Sequence, residues 1–217
     1  MIQPWDTAGY KRTLVNGYSQ DLTIGASSMG NPRIIIGMSG SSGIIYGIRL
    51  LQVLRQLSIE THLVVTRAAQ LTRAYETTLS AAELKALADI YYRCSDIAAP
   101  IASGSFKTLG MIVAPCSMKS VGEIAHGLGG NLLTRAADVV LKERRRLVIM
   151  PREAPLHLVH LQNMTTITQM GGIIFPPVPA FYQRPVTIDE LINDTVGRVL
   201  DLFELDSGLV KRWGEDK

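Results

Sequence analysis

The stretch RIIIGMSGSSGIIYGIRLL, residues 33–51, decides how this chain is read. Ile34, Ile35 and Ile36 form a β-branched run suited to a buried strand, and from Ile44 the apolar positions Ile45, Ile48, Leu51 and Leu54 recur at helical spacing. Between them Ser39, Gly40, Ser41, Ser42 and Gly43 make a turn of small residues at a helix N-terminus. Free backbone N–H groups there, with the positive end of the helix dipole, favour a bound phosphate, and glycines let a ligand approach the backbone. The glycines follow G-x-x-G-x-x-G, neither the dinucleotide fingerprint G-x-G-x-x-G nor a P-loop ending in Gly-Lys-Ser/Thr, so a nucleoside triphosphate is not expected. The competing reading is a tight turn that holds no ligand.

The same alternation continues outward. IETHLVVT (residues 59–66), GMIVAPCS (110–117), RRLVIMPRE (145–153) and GGIIFPP (171–177) read as four more strands. RAAQLTRAYET, MKSVGEIAHGL and APLHLVHLQNMTTITQM read as helices between them, and TIDELINDTVGRVLDLFEL closes the chain with Thr187 as N-cap and Asp189 and Glu190 in its first turn. Short apolar strands alternating with helices predict a doubly wound parallel α/β sheet, Rossmann-like or flavodoxin-like, in three α/β/α layers. Ligands of such sheets sit outside the carboxyl ends of the strands. Ser39 to Gly43, Thr66, Ser117 to Ser120, Arg152 with Glu153, and Tyr182 are the residues just past those ends. The loop over residues 95–107, SDIAAPIASGSFK, is long and rich in small residues, which suggests a lid or a subunit contact.

Composition narrows the class. The chain has 217 residues, 47% hydrophobic and 19% charged, enough for one globular domain with a full core. A net charge of +3 suits small anions, and no basic run interleaved with aromatics points to nucleic acid. Arg144, Arg145 and Arg146 read as a solvated helix end. Cys94 and Cys116 are too few for a disulfide framework and imply a reducing compartment, hence a cytoplasmic protein. His157 and His160 stand three apart without a third ligand nearby, so no metal site is expected. No apolar run approaches the ~20 residues needed to cross a bilayer. Residues 1–32 lack periodicity and read as an irregular extension before a domain over 33–217, with Met29 a conceivable start of the ordinary domain.

The strand ends offer hydroxyl or charged side chains, a rim that could cradle a planar phosphorylated ligand such as FMN. Glu153 is either an anion at a helix start or a general acid beside the pocket, with Arg152 its neighbour. Lys142 is by default a surface lysine, and Tyr182 an amphipathic rim residue.

At these residues the chain resembles a known family. GMSGSSGIIYGIRLL, ETHLVVTRAAQ, ASGSF, PCSMKS, LLTRAADVVLKERR, PREAPLHLVHLQNM, PPVPAFYQRP and RWGE together look like the UbiX-type flavin prenyltransferases, formerly labelled aromatic-acid decarboxylases, in the same order over residues 33 to about 213. The resemblance implies transfer of a dimethylallyl group from dimethylallyl monophosphate to N5 and C6 of reduced FMN, giving prenylated FMN for a UbiD-type decarboxylase. It implies FMN contacts at Ser39, Gly40, Ser41, Thr66, Ser117, Met118, Lys119, Ser120 and Arg152. Donor-phosphate contacts fall at Lys142, Arg152, Tyr182 and Arg198, and Ser42, Glu76 and Glu153 lie close to the reacting atoms. Cations around the leaving phosphate would stabilise the charge that develops as the allylic C–O bond breaks. No D-D-x-x-D is present to hold Mg²⁺, and Asp189, Glu190 and Asp194 fit an ordinary helix, in keeping with a metal-independent reaction. Thr66 stands where the family usually has serine, Arg67 where it has lysine, and Ser41 where it has alanine or threonine. The family is typically dodecameric with active sites at subunit boundaries. Two alternatives remain: an FMN-dependent cysteine decarboxylase-like flavoprotein, and a non-catalytic flavin carrier for a decarboxylase.

Overall fold

The computed structural model describes residues 32–210, 212 and 214. The expected irregular extension lies outside the described residues except for Pro32, as do Met29 and Trp213.

Six parallel strands form the sheet: β1 (Arg33–Met38), β2 (Glu60–Val65), β3 (Ile90–Arg93), β4 (Gly110–Cys116), β5 (Arg146–Pro151) and β6 (Ile173–Ile174), in the order β3-β2-β1-β4-β5-β6. Helices cover both faces. On one, α1 (Ile44–Gln56) and α7 (Ile188–Asp201) seal Ile34, Ile36 and Met38 into a core with Leu50, Leu51, Leu54 and Val196. On the other, α4 (Met118–Ala125), α5 (Leu132–Lys142) and α6 (Leu158–Gln169) meet Ile35, Met111, Val113 and Ile149. Strands buried on both faces are why these segments read as continuous apolar runs.

Besides two short 3-10 turns, three elements were not foreseen, among them α5, whose stretch was quoted only for its family resemblance. β3, IYYR, is a four-residue edge strand with both ends exposed, too short and too polar to show a period. The helix α3 (Ala81–Ala86) had a legible signal: Ser80 accepts from the Glu83 N–H while Glu83 accepts from the Ser80 N–H, a reciprocal cap at Ser-x-x-Glu spacing. The remaining intervening helix, α2 (Arg67–Glu76), is as expected, capped by Thr66.

The loop over residues 95–107 is not a loose lid. Ala99 and Ile101 are buried in the core, and Arg145 donates to the carbonyls of Gly104 (2.6 Å) and Phe106 (2.7 Å). Phe106 lies between the Arg33 guanidinium, 5.0 Å from its centroid, and the His62 ring. In the arginine cluster read as solvated, Arg144 and Arg146 are exposed, with Arg146 5.9 Å from the Phe203 centroid, and only Arg145 departs from that reading by stapling the loop.

Candidate functional site

Strand order reverses between β1 and β4, so the loops leaving their carboxyl ends diverge and open a crevice. Two contacts stitch its floor. The Ser39 N–H donates to the Pro115 carbonyl at 3.0 Å, and the Ser117 N–H donates to Ser39 Oγ at 2.7 Å. The Ser39 hydroxyl is thereby buried and aimed across the switch point. Ser117 caps α4 by accepting from the Ser120 N–H (3.3 Å), and Thr66 caps α2 by accepting from the Ala69 N–H (3.2 Å). Thr66 uses a lone pair on its own helix, which leaves its proton for another acceptor, whereas the Ser117 hydroxyl accepts from Ser39 Oγ and donates to Ser120 Oγ, each at 3.3 Å. The threonine methyl at position 66 does not disturb this cap.

A cleft of about 420 Å³ runs between these helix starts, lined by Ser39, Gly40, Thr66, Ser117, Lys119 and Ser120. Arg67, Ala68, Leu71, Cys94, Glu123 and Asn131 complete its walls and were not anticipated. Asn131 had a signal, as the N-cap of α5, where it accepts from the Thr134 N–H; Lys119 and Glu123 are an i,i+4 pair at 3.6 Å. Gly40 sets the gap: a Cβ there would overlap the Ala68 methyl and stand 3.1 Å from its carbonyl carbon. Ser41 Oγ is buried and has no hydrogen-bond partner among the described residues. Met118 points into the core rather than the cleft.

The start of α1 differs from the sequence expectation. Glu76, the last residue of α2, places its carboxylate on the Gly43 N–H (2.9 Å) and the Ile44 N–H (3.0 Å). The anion at this helix N-terminus is a side chain of the protein itself, in the position the phosphate was expected to take. Ser42 sits on the same turn, half-buried.

Arg152 follows β5, and its N–H donates to the Cys116 carbonyl at 3.3 Å, bringing the Arg152–Glu153 pair beside the end of β4. Both are exposed. α6 begins only at Leu158, after His157, so Glu153 is no helix-start anion, and among the described residues its carboxylate accepts only from the adjacent Ala154 N–H (3.2 Å). The residue before a proline disfavours helical dihedrals, which is why Pro155 delays the helix. Burial pushes the Cys116 thiol up to about 12 and raises Cys94 as well, so both remain protonated near the crevice.

Three predicted site residues stand apart. Lys142 ends α5 at the amino edge of the sheet, paired with Glu143. β5 has six residues and separates that edge from the crevice by roughly 20 Å at ~3.3 Å per residue. Arg198, near the end of α7, pairs with Asp201 at 3.2 Å. Tyr182 lies on the short turn Phe181–Gln183 and is 62% exposed. His157 and His160 stack with centroids 3.5 Å apart, and among the described residues no group of three or more His, Cys, Asp or Glu is placed to hold a metal. No helix of the described residues is long and apolar enough to cross a membrane.

The comparisons agree with this geometry. The family model described as Flavoprotein matches residues 23–202. The flavin prenyltransferase UbiX of Escherichia coli K12 is 56% identical over 184 residues, spanning 83% of this chain and 97% of its own length. That of Neisseria meningitidis is 54% identical over 181 residues, 83% of this chain and 96% of its own. The crystal structure of AnUbiX in complex with FMN and dimethylallyl pyrophosphate superposes with a TM-score of 0.85 at 48% identity, covering 87% of this chain and all of that one. The peptidyl-cysteine decarboxylase EpiD, at 17% identity and a TM-score of 0.58, shares the fold alone. The doubly wound sheet, the hydroxyl-lined crevice at its switch point and the identity over most of the chain place this protein in the flavoprotein family, among the UbiX flavin prenyltransferases.

Proposed function

We propose that this protein transfers the dimethylallyl group of dimethylallyl monophosphate to reduced FMN, and that the prenylated FMN serves a UbiD-type decarboxylase. The observation that carries this reading is the crevice itself, whose capping hydroxyls and close Gly40–Ala68 approach, with the unpartnered Ser41 Oγ on the adjoining turn, suit a phosphate ester with a flat body. Its similarity to a protein solved with FMN and a dimethylallyl donor supports the same choice. When bound, reduced FMN supplies the electron-rich N5 and C6 to which the dimethylallyl carbons attach.

Ser39, Gly40, Ser41, Thr66, Ser117, Met118, Lys119, Ser120 and Arg152 hold the FMN, Met118 and Lys119 through their place on the first turn of α4. Lys142, Arg152 and Arg198 take the donor phosphate with the Tyr182 hydroxyl, stabilising negative charge where it grows as the C–O bond breaks. Glu153, with no cation bound to it among the described residues, would carry the proton between flavin N5 and the phosphate, with Ser42 assigned to the same relay. Glu76 holds the α1 start and shapes the turn that carries Ser42. No metal is required.

Because Lys142 stands roughly 20 Å from its own crevice, a second copy must supply it. The dodecamer of the UbiX-like relative from Escherichia coli O157:H7 is the assembly we assign to this chain. Leu158, Val159, Val178, Phe181, Val186 and Ile188, each more than half exposed, supply apolar contact area for such copies. The compartment is the cytoplasm, where both thiols stay reduced.

The test is anaerobic incubation with reduced FMN and dimethylallyl monophosphate, in parallel with the diphosphate, followed by mass spectrometry of the extracted flavin. A gain of one dimethylallyl unit supports the assignment. Unmodified FMN from protein shown to bind it, with either donor, refutes it. Glu153→Gln is expected to keep FMN affinity and lower turnover by about 100-fold; unchanged turnover removes Glu153 from proton transfer.

A further inference from the structure

Among the described residues that line the cleft between α2 and α4, Glu123 is the one acidic side chain, an odd neighbour for a phosphate. Glu76 already occupies the α1 start, so the starts left to an anion here are those of α2 and α4, whose first N–H groups precede the intrahelical ladder. Two cations, Arg67 and Lys119, stand on the first turns of these same helices and line the cleft. Lys119 is opposed. Its Nζ lies 3.6 Å from Glu123 Oε1, one turn further along α4, while the second carboxylate oxygen accepts from Asn131 Nδ2 at 3.4 Å. Asn131 is itself fixed, since its Oδ1 accepts from the Thr134 N–H at 3.2 Å and from the Cys94 thiol at 3.5 Å. The Glu123 side chain is 24% exposed and that of Lys119 83%, so the acid is the anchored member of the pair. Helix stability does not account for it. Glu123 lies in the last turn of α4, where a carboxylate opposes the helix dipole, and lysine before glutamate is the weaker order for an i,i+4 pair.

We infer that Glu123 limits the hold on FMN: by pairing with Lys119 it withholds that cation from the flavin's phosphate, weakens binding and speeds release of the flavin product. The inference rests on the assignment of this cleft to FMN. A resident cofactor gains from every cation about its phosphate. A flavin that is consumed as acceptor and passed on as product leaves with its phosphate, so binding energy spent on that group in substrate and product alike slows each cycle without lowering the barrier to transfer. The effect falls on the charged end of the ligand alone. Oxidised riboflavin, with the same ring and ribityl chain but no phosphate, offers no charge for Lys119 to attract.

Glu123→Gln tests this selectively, because the amide keeps an acceptor for Asn131 and loses the charge. Affinity and dissociation rate are followed by flavin fluorescence on the full chain without donor, with oxidised FMN and, as the probe lacking phosphate, riboflavin. Glu123→Gln is expected to bind FMN about fivefold more tightly than the wild type, mainly through slower dissociation, with riboflavin affinity and Tm unchanged. The gain should shrink at about 0.5 M salt, where charges are screened over a few ångströms. In the Lys119→Met background it should fall below about twofold, since the freed lysine is its source. With reduced FMN and donor, the first transfer should keep its rate while later cycles slow. FMN affinity unchanged or weakened in Glu123→Gln overturns the inference. An equal gain for riboflavin also overturns it, assigning Glu123 an effect on the cleft walls, and a full gain without Lys119 overturns the role of the pair. Later cycles as fast as the wild type's, despite tighter FMN, overturn the role in release. Wild-type protein that binds no FMN overturns the assignment of the cleft together with the inference, whereas FMN that tightens in the variant without any prenyl transfer upholds the hold set by Glu123 and refutes the transferase reading.

Discussion

Glu76 shows how a single side chain redirects a site. Its carboxylate satisfies two N–H groups at the start of α1, the place where helix electrostatics alone would seat a phosphate. Glu76→Gln keeps an acceptor and removes the charge, and should cost about 1 kcal/mol, read as a Tm lower by about 3 °C. If Tm holds and turnover collapses, the carboxylate acts in the chemistry instead. His62 carries a second consequence. It is 1% exposed, bonded to the Tyr92 hydroxyl and to Glu60, and burial drives its pKa below 6.5 while Glu60 partly opposes this. The unfolded chain therefore takes up the proton at higher pH than the folded one. The stability contributed is present above the unfolded value and lost as pH falls through the folded one. The wild type should lose Tm between about pH 7 and pH 5 more steeply than His62→Gln, which does not titrate; parallel curves would mean that other groups govern acid stability.

At the scale of elements, the crevice is the space between the β1–α1 turn and α2, and Gly40 against Ala68 determines its width. Gly40→Ala should force the turn away from α2, weaken FMN binding by more than about tenfold, and destabilise the fold by ~1–3 kcal/mol, because the obstacle includes backbone. FMN titration followed by flavin fluorescence checks this. Much of this layer was legible beforehand. Thr66, Ser117 and Ser39 each follow an apolar strand, and an apolar run ending in a hydroxyl residue before a helical period marks a strand end and a cap together. What escaped were elements with weak periods, such as the edge strand β3, and the start of α6, which Pro155 delays to Leu158.

At the scale of the molecule, the proposed donor-phosphate roles of Lys142 and Arg198 require more than one chain as the working unit. Arg198 is turned to Asp201 and Lys142 lies at the opposite edge of the sheet from the crevice, so heterologous contacts that close on themselves are needed to join them. Light scattering should find twelve copies of the 23.7 kDa chain. Replacing Leu158 and Val159, 67% and 53% exposed, with lysine should dissociate the assembly and abolish prenylation while the monomer stays folded. A folded, active monomer would contradict the shared-site arrangement. By itself the sequence determined the parallel α/β sheet, the crevice hydroxyls and the family, because buried strands and capped helix starts are local patterns written in residue type and period. Only the tertiary structure decided that Glu76 occupies the α1 N-terminus, that Arg145 staples residues 104 and 106 beneath Lys142, and that Lys142 lies far from its own crevice. Each of these depends on residues 32 to 41 positions apart, or at opposite ends of a strand, meeting or failing to meet in space, and no local pattern records such distances.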